Sequence, residues 1–155
     1  MLKLDFTNEV GVDVEEGLFV DLVARFEEVM GEREGLLDSR FAQYSSLLTA
    51  TAHGLLELIL VDDEKIAQIN GDYRGKEGPT DVISFAYLEA GEGEIVGDIF
   101  ISVDTAKRQA EEKGHSLERE LAILFVHGLL HCFGFDHNND EEEAEMEGWA
   151  EKVLD

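Results

Sequence analysis

Apolar and polar residues alternate with a period of two in parts of this chain, and that period predicts β-strands. Residues 2–7 alternate strictly, and residues 55–61 form a dense apolar run. Two further short strands are predicted over residues 81–85 and 95–103, and a glycine-rich turn over residues 90–94 separates them.

Another segment repeats its apolar residues at helical spacing. Residues 16–30 do so, and Gly31 is the expected end of that helix. Residues 31–53 show no clear period, so a loop-rich insertion and a short helix around Leu47 and Leu48 both remain open.

Capping residues and apolar stripes predict four more helices later in the chain. The first three each begin at an Asp or Ser and end near a glycine. The predicted segments run from Asp62 or Asp63 to about Asn70, from Asp104 to Lys113, from Ser116 past His131, and over residues 140–154. A loop from Gly71 to Pro79 follows the first of these helices and holds Arg74 between glycines.

This order of strands and helices predicts an α+β fold. We expect residues 1–155 to form a single domain in which helices cover one small mixed β-sheet. The length suits one domain with a sizeable core, and 44% hydrophobic residues with a single proline argue against disorder.

The chain is strongly acidic, with a net charge of −24. This charge argues against a broad electrostatic grip on nucleic acid, because proteins that bind phosphates usually present a basic face. Six of the twelve basic residues nevertheless fall between residues 74 and 119, so a local basic strip on an acidic body is possible.

The compartment is expected to be the cytoplasm. Cys132 is the only cysteine, so no internal disulfide can form, and a reducing setting fits best. No apolar run is long enough to span a bilayer, and the first residues lack the apolar core of a signal peptide. No membrane association is therefore expected.

Three histidines stand at spacings of four and six residues in the segment from His127 to His137. His127 and His131 are about one helical turn apart, so they project from the same helix face. Gly134 can end this helix in a left-handed conformation, and the turn that follows can bring His137 back toward the first two. Three converging neutral imidazoles are the ligand set of a catalytic zinc with an open fourth position. A zinc enzyme is therefore the leading hypothesis.

The same spacing resembles that of metzincin peptidases, in which a glutamate follows the first histidine and acts as general base. Here that position is Gly128, which counts against a peptidase. Cys132 could be a soft ligand, but it lies about 100° around the helix from His131, which favours a small buried hydrophobic residue. His53 and His115 fall outside the pattern and are interpreted as ordinary surface or loop residues.

The histidine motif is similar to the signature of the YbeY family of bacterial endoribonucleases. A second block, residues 70–85, resembles that family's Asn-x-x-[Tyr/Phe]-Arg segment followed by Thr-Asp-Val-[Leu/Ile]-Ser-Phe. Residues 97–99 and 145–147 are shorter matches. Together these pieces cover about residues 55–155 in the expected order.

The resemblance implies a zinc-dependent, single-strand-specific endoribonuclease. It implies work in rRNA processing, particularly maturation of the 3′ end of 16S rRNA, and in ribosome quality control. His127, His131 and His137 would hold one zinc per chain, and Arg74 would be the catalytic partner at the phosphate. The partners implied are single-stranded RNA, the ribosomal small subunit and assembly factors. Docking through such a partner could offset the charge of −24.

Two other functions remain open on the residues alone. One is a zinc metallopeptidase-like hydrolase, and the other is a non-catalytic ribosome-assembly factor whose structural zinc is closed by a fourth ligand, Cys132 or Asp136. Asp81, Ser84 and Asp98 could orient metal ligands, although Asp81 and Ser84 are interpreted first as turn or strand-end residues. The sequence does not decide the general base, the attacking nucleophile (zinc hydroxide or the RNA 2′-hydroxyl) or the oligomeric state.

Overall fold

A computed structural model describes residues 2–32, 54–87, 95–135 and 138–155. Within these ranges it contains four strands and five helices. In chain order they are β1 (Lys3–Asn8), α1 (Glu16–Glu32), β2 (Leu55–Val61), α2 (Asp63–Arg74), β3 (Val82–Ala86), β4 (Ile95–Ser102), α3 (Val103–Lys113), α4 (Leu117–Cys132) and α5 (Asp140–Leu154). None of these helices is long and apolar enough to cross a membrane.

The strands form one mixed sheet in the order β1-β2-β4-β3. β1, β2 and β4 run parallel, and β3 pairs with β4 in the antiparallel direction. This arrangement confirms the prediction of an α+β fold built on a small mixed sheet. It also makes β3 an outer strand of the described sheet.

Side chains alternate between the two faces along each strand, so both faces of the sheet carry apolar side chains. Helices cover each face. Leu56, Leu58 and Leu60 of β2 point into the larger core with Ile99, against α1, α4 and α5. On the opposite face, α2 buries its own isoleucines in a smaller cluster. That cluster consists of Val61, Ile66, Ile69 and Ile83.

Several predicted boundaries are confirmed because the signals that set them are local. β2 and α5 have the predicted bounds, and α4 begins after the predicted cap Ser116, whose side chain accepts from the Arg119 N–H. α3 ends at Gly114, whose φ of 73° lies in the left-handed region. The unassigned segment 33–53 and the predicted turn over residues 90–94 lie outside the described residues.

Three boundaries were predicted wrongly. α1 does not stop at Gly31 but continues to Glu32. α2 does not end at Asn70 but passes through Gly71 to Arg74, and Gly75 ends it with a φ of 64°. The predicted loop over residues 71–79 is therefore helical in its first four positions.

The third correction concerns the start of α3, where Ser102 and not Asp104 is the N-cap. Asp104 instead accepts a hydrogen bond from the Asp63 N–H at 3.0 Å, at the beginning of α2. In return, the Asp63 carboxylate accepts from Ser102 Oγ and Thr105 Oγ1, both at 2.6 Å. Burial alone would raise the pKa of Asp63, but these bonds and the Arg108 guanidinium lower it overall. The starts of α2 and α3 are thus locked together.

Candidate metal centre and its surroundings

Helix α4 places two of the predicted ligands side by side. His127 and His131 lie one turn apart on a half-buried stripe of this helix, which they share with Ile123. The other positions from Glu120 to Cys132 are buried. Their Nε2 atoms are 3.2 Å apart, and their ring planes meet at 73°. Both imidazoles therefore direct the same ring nitrogen toward one point.

The separation of these two nitrogens fits a zinc ion. Two nitrogens bound tetrahedrally at about 2.0–2.1 Å from zinc lie roughly 3.3 Å apart, close to the observed 3.2 Å. The same separation also allows one neutral imidazole to donate a hydrogen bond to the other. The pair is thus compatible with a metal, and it supplies two of the three predicted ligands.

The third predicted ligand, His137, lies outside the described residues, as does Asp136. Within the described ranges, no group of three His, Cys, Asp or Glu side chains could hold a metal ion. The prediction that His137 is the third ligand of the site therefore stays a prediction.

The turn after α4 has the predicted form. Gly134 has a φ of 97° and donates its N–H to the His131 carbonyl at 3.0 Å. The Phe135 N–H bonds to the Leu130 carbonyl at 3.1 Å, which completes a Schellman motif. Phe135 then packs against Trp149 of α5, with ring centroids 6.1 Å apart. The chain is thus turned back and anchored immediately before the segment that holds His137.

Gly128 faces the sheet at a point where no side chain fits. A Cβ at this position would lie 2.8 Å from Ile99 Cγ2 and 3.0 Å from Ser84 Oγ. The position that carries the general base in the metzincin motif is therefore filled by the contact of α4 with β3 and β4. A glutamate there would have no space, which strengthens the argument that Gly128 gives against the peptidase alternative.

Cys132 lies on the sheet side of α4, as the sequence predicted for a small buried hydrophobic residue. It is 1% exposed, and its Sγ is 3.9 Å from the Phe85 carbonyl and would be 2.5 Å from a Cβ at position 97. Burial, with a smaller effect from the Asp98 charge, raises the pKa of this thiol to about 12. A protonated thiol wedged against β3 and β4 is unsuited to be the fourth ligand of a structural zinc.

Arg74 lies at the last position of α2, which corrects its predicted place in a glycine-flanked loop. Its side chain is exposed, and the neighbouring Tyr73 ring packs against Phe85 of β3. Among the described residues, no hydrogen bond or ion pair joins Arg74 to either histidine. The end of α2 packs on one face of the outer strand β3 through Tyr73, and the Gly128 side of α4 packs on the opposite face.

The three residues considered as possible supports have separate roles. Asp81 accepts from the Val82 N–H at 2.8 Å and from Gln109 at 3.3 Å, which fixes the start of β3 as the sequence suggested. Ser84 lies under Gly128. Asp98 accepts from the Tyr87 hydroxyl at 2.9 Å.

Asp98 also stands beside Glu57 across the sheet. A hydrogen bond with Asp98, partial burial and the negative charges of Asp98 and Asp5 raise the pKa of Glu57 to about 7. The Oδ1 atom of Asp98 is buried and has no donor within the described part of the chain. A proton on Glu57 would supply that donor.

Sequence reasoning missed a buried carboxylate seven residues before His127. Glu120 is fully buried in α4, where it accepts from Lys113 Nζ at 3.2 Å on both oxygens. His115 Nε2 lies 2.7 Å from its Oε1, so His115 is a partner of this carboxylate and not an ordinary loop residue. The sequence did hold a sign of this: Glu120 lies two helical turns before His127, on the same face of a largely apolar helix. His53 lies outside the described residues.

The fold and the histidine pair together define an α+β protein with a candidate helix-borne metal centre. The profile of the endoribonuclease YbeY family matches residues 30–155. A Bacillus mycoides protein named endoribonuclease YbeY is 41% identical over 89% of this chain and 95% of its own length. A Bacillus pumilus protein of the same name is 43% identical, with 89% of this chain and 94% of the relative covered.

This chain belongs to the YbeY family of endoribonucleases. It is accordingly a hydrolase that acts on RNA, and its family is one of metalloenzymes. The solution structure of a Thermotoga maritima protein has the same fold, with a TM-score of 0.57 over 99% of this chain and 89% of that protein at 24% identity.

Proposed function

We propose that this chain is a zinc-dependent, single-strand-specific endoribonuclease of rRNA processing, acting at the 3′ end of 16S rRNA and in ribosome quality control. Its proposed location is the cytoplasm, and residues 1–155 are proposed to form one hydrolase domain. The observation that carries the proposal is the 3.2 Å convergence of the His127 and His131 Nε2 atoms in a chain of this family.

His127, His131 and His137 are the proposed ligands of one zinc per chain. Neutral imidazoles are among the preferred ligands of zinc, and three of them leave a fourth position for water or substrate. A zinc so held supplies a Lewis acid and lowers the pKa of a bound water to about 7. The core packing of α4 fixes the helix backbone that carries the first two histidines.

Arg74 is the proposed catalytic partner at the phosphate. Cleavage of a phosphodiester places extra negative charge on the non-bridging oxygens, and a guanidinium offers two parallel donors to such a group. Arg74 is exposed and makes no ion pair with any described residue, so its charge is available to a substrate.

The acidic residues restrict the direction from which RNA can approach. A groove of about 440 Å³ between α4 and α5 is lined by His127, and among the described residues that line it three carboxylates, of Glu143, Glu147 and Glu151, outnumber one guanidinium, of Arg119. These carboxylates would repel phosphates. We therefore place the RNA path across β3, where Arg74 is exposed, and propose that a ribosomal or assembly-factor partner offsets the charge of −24.

The test compares His127→Ala and Arg74→Ala with an Arg25→Ala control. Arg25 is a partly exposed arginine of α1 whose one ion pair among the described residues is with its helical neighbour Glu28 at 3.4 Å. Both site variants should lose cleavage of single-stranded RNA. Only His127→Ala should lose metal, measured by mass spectrometry of the purified protein. Cleavage by both variants at the wild-type rate would refute the proposal.

A further inference from the structure

Tyr73 is an aromatic side chain that the fold leaves in solvent. Its exposed fraction is 72%, whereas the other exposed large hydrophobic residues of the described ranges lie between 37% and 47%. Burying such a ring against a ligand would contribute favourable free energy. Because Tyr73 also lies next to the proposed catalytic residue Arg74, it is a candidate ligand contact.

The ring is held in place although it is exposed. Tyr73 lies in the last turn of α2 and meets the Phe85 ring nearly at right angles, with centroids 5.5 Å apart. The helix end beneath it is fixed by Gly75, whose N–H bonds to the Asn70 carbonyl, and by the Asn70 amide, which donates to the Gly78 carbonyl at 3.0 Å. A ring that is already ordered loses little entropy when a planar ligand stacks on it.

Contacts across β3 connect this ring with the candidate metal centre. Phe85 packs under Tyr73 on one face of β3, and the preceding Ser84 lies under Gly128 on the other face. Gly128 is the immediate neighbour of His127. Tyr73 and Gly128 thus lie on opposite faces of one outer strand, separated by the adjacent residues Ser84 and Phe85. A single-stranded RNA that approached the histidines around the edge of β3 would pass the end of α2, where Tyr73 and Arg74 lie.

Charge alone cannot hold RNA at this place. Residues 70–80 carry two negative charges, on Asp72 and Glu77, and two positive charges, on Arg74 and Lys76. This segment around Tyr73 therefore has no net charge, in a chain whose net charge is −24. Stacking of a base on an aromatic ring needs no net charge, and it is sequence-tolerant because every base has a π-face.

We propose that Tyr73 forms a nucleobase-binding subsite, on which one base of a single-stranded substrate stacks on the β3 side of the cleavage site. This inference rests on the proposed function and adds a positioning residue to it. It also supplies a physical account of how so acidic a protein holds RNA.

The first experiment measures the affinity of metal-free protein for a labelled single-stranded RNA of about 12 nucleotides by fluorescence anisotropy. Tyr73→Ala should weaken binding by about 5- to 150-fold, and Tyr73→Phe should bind like the wild type. Val20→Ala, which truncates a 47% exposed residue of α1, should also bind like the wild type. In cleavage assays with metal-loaded protein, Tyr73→Ala should raise KM more than it lowers kcat.

The second experiment replaces each base of the RNA in turn by an abasic nucleotide. At one position, the abasic nucleotide should weaken binding of the RNA to the wild-type protein. The same nucleotide should not weaken binding to Tyr73→Ala, because that variant lacks the ring on which the missing base would stack. The fold-loss of RNA affinity caused by Tyr73→Ala should also be the same at about 50 and 200 mM salt. The fold-loss caused by Arg74→Ala should become smaller as the salt concentration rises.

The outcomes separate the two proposals. Wild-type protein that binds RNA through Tyr73 but does not cleave it would overturn the proposed function and keep the subsite. Protein that cleaves RNA through Arg74 but binds equally well after Tyr73→Ala, at every abasic position, would overturn the subsite alone. Absence of any RNA binding would overturn both.

Discussion

A methyl group at position 128 has no room between helix α4 and the sheet. The Cβ of Gly128→Ala would lie 2.8 Å from Ile99 Cγ2 and 3.0 Å from Ser84 Oγ. Ser84 can rotate its hydroxyl away, but Ile99 is fully buried and its Cγ2 is fixed by β-branching. We therefore expect the substitution to push α4 away from β4.

The magnitude follows from two opposing effects. Overpacking a buried contact costs about 1–3 kcal/mol, whereas replacing glycine by alanine within a helix contributes about 1 kcal/mol of stability. The difference is a loss of about 0–2 kcal/mol, and the rigid Ile99 contact favours the upper half of that range. Gly148 in α5 is the matched control, because nothing lies within 4 Å of a Cβ there. Gly148→Ala should stabilise the protein by up to about 1 kcal/mol.

Urea unfolding followed by circular dichroism measures both variants, with the slopes required to match so that the midpoints can be compared. Gly128→Ala should unfold at lower urea than the wild type, and Gly148→Ala at higher urea. If Gly128→Ala were as stable as Gly148→Ala, the contact of α4 with the sheet would not be as tight as the structure shows.

Three further predictions concern the rest of the fold. Lys113→Ala should lower the free energy of unfolding by about 1–3 kcal/mol, because the fully buried Glu120 carboxylate loses its cationic donor; equal melting of Lys113→Ala and an exposed Lys107→Ala control would contradict this. The pKa of Glu57 is raised from 4.5 to about 7, so the folded state binds more protons and stability should fall as pH rises through that window. Glu57→Gln should flatten this dependence in urea unfolding at several pH values, and an unchanged slope would refute the assignment. Cys132, at 1% exposure, should resist alkylation in the native protein and react after unfolding, as followed by mass spectrometry; rapid native labelling would show that α4 separates from the sheet.

The helix ends show where sequence reasoning succeeded and where it failed. Ser116 and Gly134 were identified correctly because a cap acts on backbone groups a few residues away. The end of α2 was misplaced because Gly71 and Gly75 are both acceptable stops in the sequence. The structure ends the helix at Gly75, and the last turn beyond Gly71 packs its Tyr73 ring on Phe85 of β3, a contact between segments distant in sequence. The start of α3 was misplaced because Asp104 bonds to a different helix.

The spacing of the histidines was enough to place His127 and His131 on one face of a helix, since helical periodicity is a local property of the backbone. The sequence also determined the strong negative charge, the mixed α+β pattern and the family resemblance. Only the tertiary structure decided that Gly128 faces a filled contact and that Glu120 is buried. It also decided that the end of α2 and helix α4 pack on opposite faces of β3. These facts depend on which distant segments pack together, and periodicity along the chain carries no information about that.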